Sequence, residues 1–239
     1  MTPRPEVQVV RIDYGPLEMA ASLNRAIAPD GPLLRATLDI LWDEPDPVAL
    51  ERIETGLALF SPSFQKHRCR GPSAYRVFQK ERPPAPVDHT PPQPLDPRLA
   101  LAHLIEHAVI DFESAITHET RISGVTGARR DPPGRFDLMI ECPDPAVGRL
   151  CLALAVLSLT GASDARPPGR REHDLLAIAR LAYHHPGRVW TPHGVARAFA
   201  WPMARADAAL SSLRQLGYLA PLVDTVNISG VPRYMVAPA

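Results

Sequence analysis

The positions of its 28 prolines constrain the fold of this 239-residue chain more than any other feature. Proline has no backbone N–H and breaks a helix interior, but it fits the first helical turn, where that donor has no partner. An Asp-Pro or Thr-Pro pair therefore predicts a helix start at Asp46-Pro47, at Asp96-Pro97 and at Thr191-Pro192. The stretch 81–97 contains seven prolines, which exclude a central strand and predict an extended surface loop.

The apolar pattern between these points predicts an α+β fold, in which a small sheet is crossed by a buried helix. Short alternating or β-branched runs predict strands at 7–12, 36–42 and 135–142. Longer apolar runs predict helices at 16–27, 46–60, 97–117 and 145–159. The segment 123–134, which contains glycines and prolines, is interpreted as a loop.

The charge distribution divides the chain in two. Residues 166–239 carry nine arginines and four acids, a net charge of +5, so the remainder, with 17 basic and 22 acidic residues, carries −5. Segment 161–171 has the small, polar, proline-bearing composition of a linker. We therefore predict an α+β domain at 1–163 and a second domain at 164–239.

Composition also limits the class of protein. At 45% hydrophobic and 22% charged residues, the chain is typical of a globular protein. It has no run of 18 apolar residues and no apolar segment near its start, which argues against a membrane span and a secretory signal. Three cysteines are too few for a disulfide framework. We expect a cytoplasmic protein.

The predicted helix at 97–117 contains the pattern H-x-x-E-H at His103, Glu106 and His107. Residues i and i+4 project from the same face of a helix, so both imidazoles can bind one zinc ion. The carboxylate of Glu106 would lie beside them, where it could take a proton from a zinc-activated water. Apolar neighbours leave only a narrow polar stripe, whose groups need partners when half-buried. A helix whose polar stripe happens to hold two histidines is the alternative.

A catalytic zinc ion needs a third protein ligand. Glu141 is the first choice, because it lies on the more polar face of the strand at 135–142. Asp111 is the alternative, since it continues the face of His103 and His107 by one turn, and it could equally orient an imidazole. Arg130 could neutralise an oxyanion or hold a substrate carboxylate. Glu113 and His118 are lower candidates, which we expect to be solvated.

Three segments of the chain carry a family resemblance: FSPSFQKHRCRG (60–71), LAHLIEHAVIDFESA (101–115) and GARRDPPGRFDLMIECPDPAVGRLCLALAV (127–156). In this order they resemble the N-terminal region of bacterial cyanophycin synthetases. There an EHRC segment precedes a GHxxEHxALELQ helix, and a GxTR…PGxYxVxxEYxxExVG loop, strand and helix follow. The resemblance covers roughly residues 40–158, and the matching positions are His67, Arg68, Cys69, His103, Glu106, His107, Gly127, Arg130, Gly134, Glu141, Val147 and Gly148.

Some members of that family are reported to have a zinc-dependent, metallopeptidase-like site in this region, acting on the peptide-like polymer. The resemblance implies that the metal ligands are His103, His107 and Glu141, with Glu106 as the base. The sequence also departs from the family. It contains no ATP-grasp or Mur-ligase-like module, so the resemblance does not extend to polymer synthesis. Asp111 stands where the family has Glu, and Lys66 stands where Glu precedes the His-Arg-Cys segment.

The tail has the plan of a winged helix-turn-helix domain, in which three helices precede a hairpin. Helices are predicted at 171–185, 191–200 and 203–217, followed by two strands around a turn at 229–230. The third helix of such a domain enters the major groove of DNA, and other basic groups contact phosphates. The candidate nucleic-acid contacts are Arg197, Arg205, Arg214 and Arg233. Winged helices also dock proteins, and that alternative stays open.

Together these features predict a zinc-dependent hydrolase of a peptide or isopeptide bond, tethered to a winged-helix module that binds DNA or a partner protein. The alternative is a regulator or adaptor without catalytic activity. In that interpretation the front domain senses a ligand or dimerises, while the tail binds DNA. A homodimer is compatible with either function.

Overall fold

The computed structural model describes residues 5–17, 20, 23–28, 30–42, 50–53, 55, 96–161, 170–222 and 231–237. The strands are β1 (Glu6–Gly15), β2 (Leu33–Leu41), β3 (Gly124–Ala128), β4 (Arg135–Glu141), β5 (Leu219–Pro221) and β6 (Tyr234–Val236). The helices are α1 (Pro97–Thr117), α2 (Pro145–Gly161), α3 (Arg170–Tyr183), α4 (Pro192–Phe199) and α5 (Met203–Gln215). The α+β class is confirmed.

Strands β1 to β4 form one antiparallel sheet in the order β1-β2-β4-β3. Because side chains alternate along a strand, each strand gives one set of residues to each face of the sheet. Phe136, Leu138 and Ile140 on β4 are buried in the main core, together with residues of α1 and α2. The even-numbered face of β4 is therefore the one that these helices cover.

The opposite face of the sheet is divided. Near one end, Met139 on β4 and Leu33 on β2 pack with Ala20 and Ile27 in a small second core. Near the other end the face is charged, because Asp137 on β4 accepts hydrogen bonds from three side chains: Arg35, Thr37 and Arg129.

The start of α1 follows the prediction from its Asp-Pro pair. The Asp96 side chain is the N-cap, and its Oδ1 accepts a hydrogen bond of 2.9 Å from the Arg98 backbone N–H. The helix ends at His118, whose φ of 66° puts it in the left-handed region. The predicted bounds of 97–117 are confirmed.

Two predictions for this half of the chain are wrong. The helix predicted at 16–27 does not reach its expected end, because residues 24–27 are not helical. Segment 123–134 is not all loop, because 124–128 forms β3 and pairs with β4 from Gly124↔Ile140 to Ala128↔Phe136. Glycine has low strand propensity, which hid this strand, but β4 offers a free edge that pairing satisfies. Other predictions lie wholly or largely outside the described residues: the helix at 46–60, the HRC segment, the proline-rich loop, the linker and the hairpin turn.

The tail places α3, α4 and α5 before a two-stranded antiparallel sheet of β5 and β6. Thr191 caps α4 by accepting from the Gly194 N–H, as the Thr-Pro pair predicts. Buried residues of α3 belong to the same core cluster as those of α1, and the two helices pack together. No described helix is long and apolar enough to cross a membrane.

Candidate functional site

His103 and His107 meet on one face of α1. Their Nε2 atoms are 2.9 Å apart, their ring centroids are 4.4 Å apart, and their planes are nearly perpendicular at 89°. The i, i+4 spacing brings the rings together, as the sequence predicts. At this distance one Nε2 donates a hydrogen bond and the other accepts it.

Glu106 lies beside this pair, on the other nitrogen of His103. Its Oε2 is 3.3 Å from His103 Nδ1, and the same oxygen accepts a hydrogen bond from the Thr126 hydroxyl on β3. A carboxylate near Nδ1 favours the tautomer that carries its proton there, which leaves the His103 Nε2 lone pair facing His107.

Gly124 on β3 makes room for the Glu106 carboxylate. A Cβ atom at position 124 would lie 2.7 Å from Glu106 Oε1, closer than a carbon can approach. Glu106 is 3% exposed, so its carboxylate is held between α1 and β3. Strand β3, which the sequence predicts to be a loop, therefore fixes the position of the Glu106 carboxylate.

Glu141 is not brought to the histidines. It is odd-numbered on β4 and so projects from the face opposite α1. Its Oε1 accepts from the Ala28 N–H and its Oε2 from the Ser123 N–H, each at 2.8 Å. The Glu141 carboxylate therefore connects two loops. This structural role is sufficient to explain its position.

The remaining site predictions have different outcomes. Asp111 is buried on α1, one turn beyond His107. Arg130 is exposed in the loop that joins β3 to β4, at the end of this hairpin opposite Gly124. Within the described part of the chain, no group of three His, Cys, Asp or Glu side chains is arranged to hold a metal ion.

The expectation that Glu113 is solvated is wrong. It is completely buried, and neither carboxyl oxygen has a hydrogen-bond partner that meets normal geometry among the described residues. Burial raises its pKa to about 8, while the neighbouring Cys142 thiol opposes that rise. Burial likewise raises the pKa of the Cys142 and Cys151 thiols well above the ordinary value. Helical periodicity could not predict that Glu113 is buried, because α1 is covered on more than one side.

His118, by contrast, is exposed, as predicted. Its ring lies against that of His184, which follows α3, with centroids 5.1 Å apart.

The four tail arginines are not equivalent. Arg205 forms an ion pair with Asp174 on α3, in which its Nε donates to Oδ2 at 2.7 Å, and its Cζ lies 4.0 Å from the centre of the Trp201 ring. Arg197 and Arg214 are exposed, and Arg233 is half-buried. Only the exposed pair projects freely from the helices into solvent, and Arg205 acts within the fold.

Comparison with known protein families, curated proteins and solved structures gives no match to this chain.

Proposed function

We propose that this protein is a metal-dependent hydrolase of peptide or isopeptide bonds, whose zinc ion is held by His103 and His107. One observation carries the proposal: the two Nε2 atoms face each other at 2.9 Å. Nitrogens that close can bind one cation together, at about 2.0–2.1 Å each, once the shared proton has moved to a Nδ1 atom. When bound, zinc supplies Lewis acidity that activates water and polarises a carbonyl group.

The described residues provide two of the three protein ligands that a catalytic zinc ion takes. Since Glu141 is engaged by Ala28 and Ser123, we assign the third place to Asp111, the alternative ligand on α1. A change of side-chain rotamer is required for this assignment, because the present arrangement does not join the three into one group.

We assign Glu106 a positioning role instead of the base role. Metal-ligating histidines usually pass their second ring N–H to a carboxylate, which fixes the tautomer and the orientation of the ring. The contact of Glu106 with His103 Nδ1, at 3.3 Å, is of this kind.

Metal content of the purified protein tests the site. We expect about one zinc ion per chain in the wild type and its loss in His103→Ala and His107→Ala, while His184→Ala, an exposed histidine, keeps the metal. Hydrolysis of a library of peptides with normal and side-chain-linked bonds should be lost with the metal. Absence of zinc from the wild type, including after reconstitution, would overturn the proposal.

Glu106→Gln separates the two roles of the acid. A positioning carboxylate predicts a fall in zinc affinity of roughly 10–100-fold, with activity returning when zinc is added in excess. A base predicts unchanged zinc affinity with lost activity at every zinc concentration. Titration with a competing chelator gives the affinity, and the peptide assay gives the activity.

A second function, binding of duplex DNA by the tail, is supported by the order of its elements. A winged helix inserts a short strand between its first two helices, which pairs with the last strand of the wing. Trp190, between α3 and α4, forms an antiparallel bridge with Tyr234 on β6, where its N–H donates to the Tyr234 carbonyl at 2.7 Å. We infer a winged-helix domain in which α5 is the recognition helix.

The exposed arginines Arg197 and Arg214 are the proposed phosphate contacts. Arg205 is not one of them, because it forms an ion pair with Asp174. Each lost phosphate contact should reduce the slope of log affinity against log salt by about one. Arg197→Ala and Arg214→Ala should do so, whereas Arg149→Ala, an exposed arginine on α2, should not. Binding that is absent, or insensitive to salt, would contradict this function and favour protein docking.

A further inference from the structure

Strand β1 forms one edge of the four-stranded sheet. It is ten residues long, and it pairs with β2 on one side only, since no described residue pairs with its other side. A long edge strand presents a row of backbone N–H and C=O groups that can pair with a further strand. Proteins usually blunt such an edge with prolines, charges, bulges or a short strand. Glu6–Gly15 is long and has no proline, although it carries three charged residues and a bulge.

The side chains along this edge are unusually apolar for an exposed position. Val9, Val10, Ile12 and Tyr14 are each between 37% and 47% exposed. Val9, Ile12 and Tyr14 lie opposite Leu38, Ala36 and Leu34 of β2, which are buried in the main core, so these three side chains share one face of the strand. An exposed apolar edge of this length is typical of an interface.

A bulge divides β1 into two parts. The register with β2 shifts between Val9 and Arg11, and from Arg11 to Gly15 the pairing is regular again. The regular part is the one that can accept another strand without a further irregularity, because a bulge bends the strand and disrupts the ladder. Ile12 lies in this part, between Arg11 and Asp13.

The order of the charged residues along β1 indicates which strand can pair with this edge. Arg11 and Asp13 flank Ile12 and project from the same face of the sheet. If two copies of the strand pair antiparallel about Ile12, each Arg11 lies opposite Asp13 of the other copy, so two opposite-charge pairs form. A parallel arrangement in register would place like charges together instead. The sequence of this segment is thus complementary to itself.

We propose that β1 pairs antiparallel with β1 of a second copy of the chain, about a twofold axis at Ile12, which joins two four-stranded sheets into one. The Arg11 Nε donates to Asp13 Oδ1 within one strand at 2.9 Å, but both side chains are exposed, at 69% and 39%, and can turn to the second copy. This surface lies on the sheet edge and does not depend on the proposed metal or DNA functions.

Light scattering and sedimentation of the full chain test the dimer. The wild type should have twice the chain mass of 26.1 kDa. Ile12→Lys should give monomers, because two ammonium groups would meet at the axis, and its circular dichroism should match that of the wild type. A monomeric wild type at tens of micromolar or more would overturn the proposal, as would a dimer that Ile12→Lys leaves intact.

Charge swaps test the pairing itself. Arg11→Asp and Asp13→Arg each replace attraction by repulsion in both cross-strand pairs, so each should weaken the dimer on the order of ten-fold or more. Combining both changes in one chain restores opposite charges, and so does mixing the two single variants in equal amounts, which should form a heterodimer.

Arg121→Asp is the matched control, because it makes the same charge change at an exposed position away from β1. It should leave the dimer unchanged. Single swaps that dimerise as the control does, or a double swap and a mixture that both fail to recover, would show that β1 is not the interface.

Discussion

Arg205 on α5 is joined to Asp174 on α3 by a two-pronged ion pair that spans 31 residues of sequence. The Asp174 carboxylate is mostly buried, and its hydrogen bond raises the pKa of the Arg205 guanidinium. Trp201 covers one face of the same guanidinium. This cluster therefore connects the first and third helices of the tail.

We expect Arg205→Ala to lower the midpoint of thermal unfolding by several degrees, because it leaves the buried Asp174 carboxylate without its counter-ion. Arg205→Lys should recover only part of that loss, since an ammonium group cannot make both contacts. Arg214→Ala, on the exposed side of α5, should leave the midpoint unchanged. Equal effects of the Arg205 and Arg214 variants would contradict a structural role for the ion pair.

The buried Glu113 predicts that stability falls with rising pH. Its folded pKa is about 8, above the ordinary 4.5, so between these values the native state holds a proton that the unfolded state has released. The contribution is present in full below about pH 4.5 and is lost as pH rises through about 8. Because a tenfold difference in proton affinity is worth about 1.4 kcal/mol, the free energy of unfolding should fall by several kcal/mol across this range.

Glu113→Gln should remove this slope, and it should be more stable than the wild type at pH 8.5, where the wild-type carboxylate is charged. Glu119→Gln, an exposed acid that follows α1, should retain the slope. Urea unfolding at a series of pH values measures both. A wild type whose stability is flat between pH 5 and 8 would show that Glu113 has an ordinary pKa.

Gly124 predicts a steric effect on the histidine pair. We expect Gly124→Ala to displace the Glu106 carboxylate, because the new Cβ would lie 2.7 Å from Oε1. Overpacking of this kind costs about 1–3 kcal/mol, and loss of the Glu106 contact should also weaken the proposed zinc binding. Gly127→Ala on the same strand is the control, since a Cβ there meets nothing within 4 Å. Urea unfolding and zinc titration should separate the two variants.

Gly148 on α2 makes a similar prediction for the core. A Cβ at this position would lie 2.5 Å from the Cys142 Sγ atom and 3.4 Å from a methyl group of Leu34. Alanine normally stabilises a helix interior by about 1 kcal/mol relative to glycine, yet here we expect Gly148→Ala to destabilise. Adding Cys142→Ala should return part of the lost stability, because it removes the clashing sulfur. Additive losses in the double variant would contradict this packing.

The local pattern of the sequence predicted local structure well. The Asp96-Pro97 pair located the start of α1, and alternation from Arg135 to Glu141 located β4 and separated its apolar residues from its polar ones. Both signals depend on neighbours within one turn or one strand. Gly217, where the third predicted helix of the tail ends, has a positive φ of 75° just after α5, as is common for a glycine that follows a helix.

The composition of the site could be predicted only in part. The i, i+4 rule brought His103 to His107, but Glu106 also accepts a hydrogen bond from Thr126, on a strand that glycines concealed. The sequence also contains a signal against Glu141 as a ligand. Alternation puts it on the face of Met139, opposite the apolar face that a buried helix must cover.

Because α3 packs against α1, the two predicted domains share one hydrophobic core, and each depends on the other for stability. Leu175 and Ile178 on α3 are buried within the core cluster that also contains Leu104 and Ile105 of α1. A fragment ending near residue 163 would expose part of that apolar surface to water, so it should aggregate instead of folding as an autonomous unit. Shortening this chain for study would best spare α3.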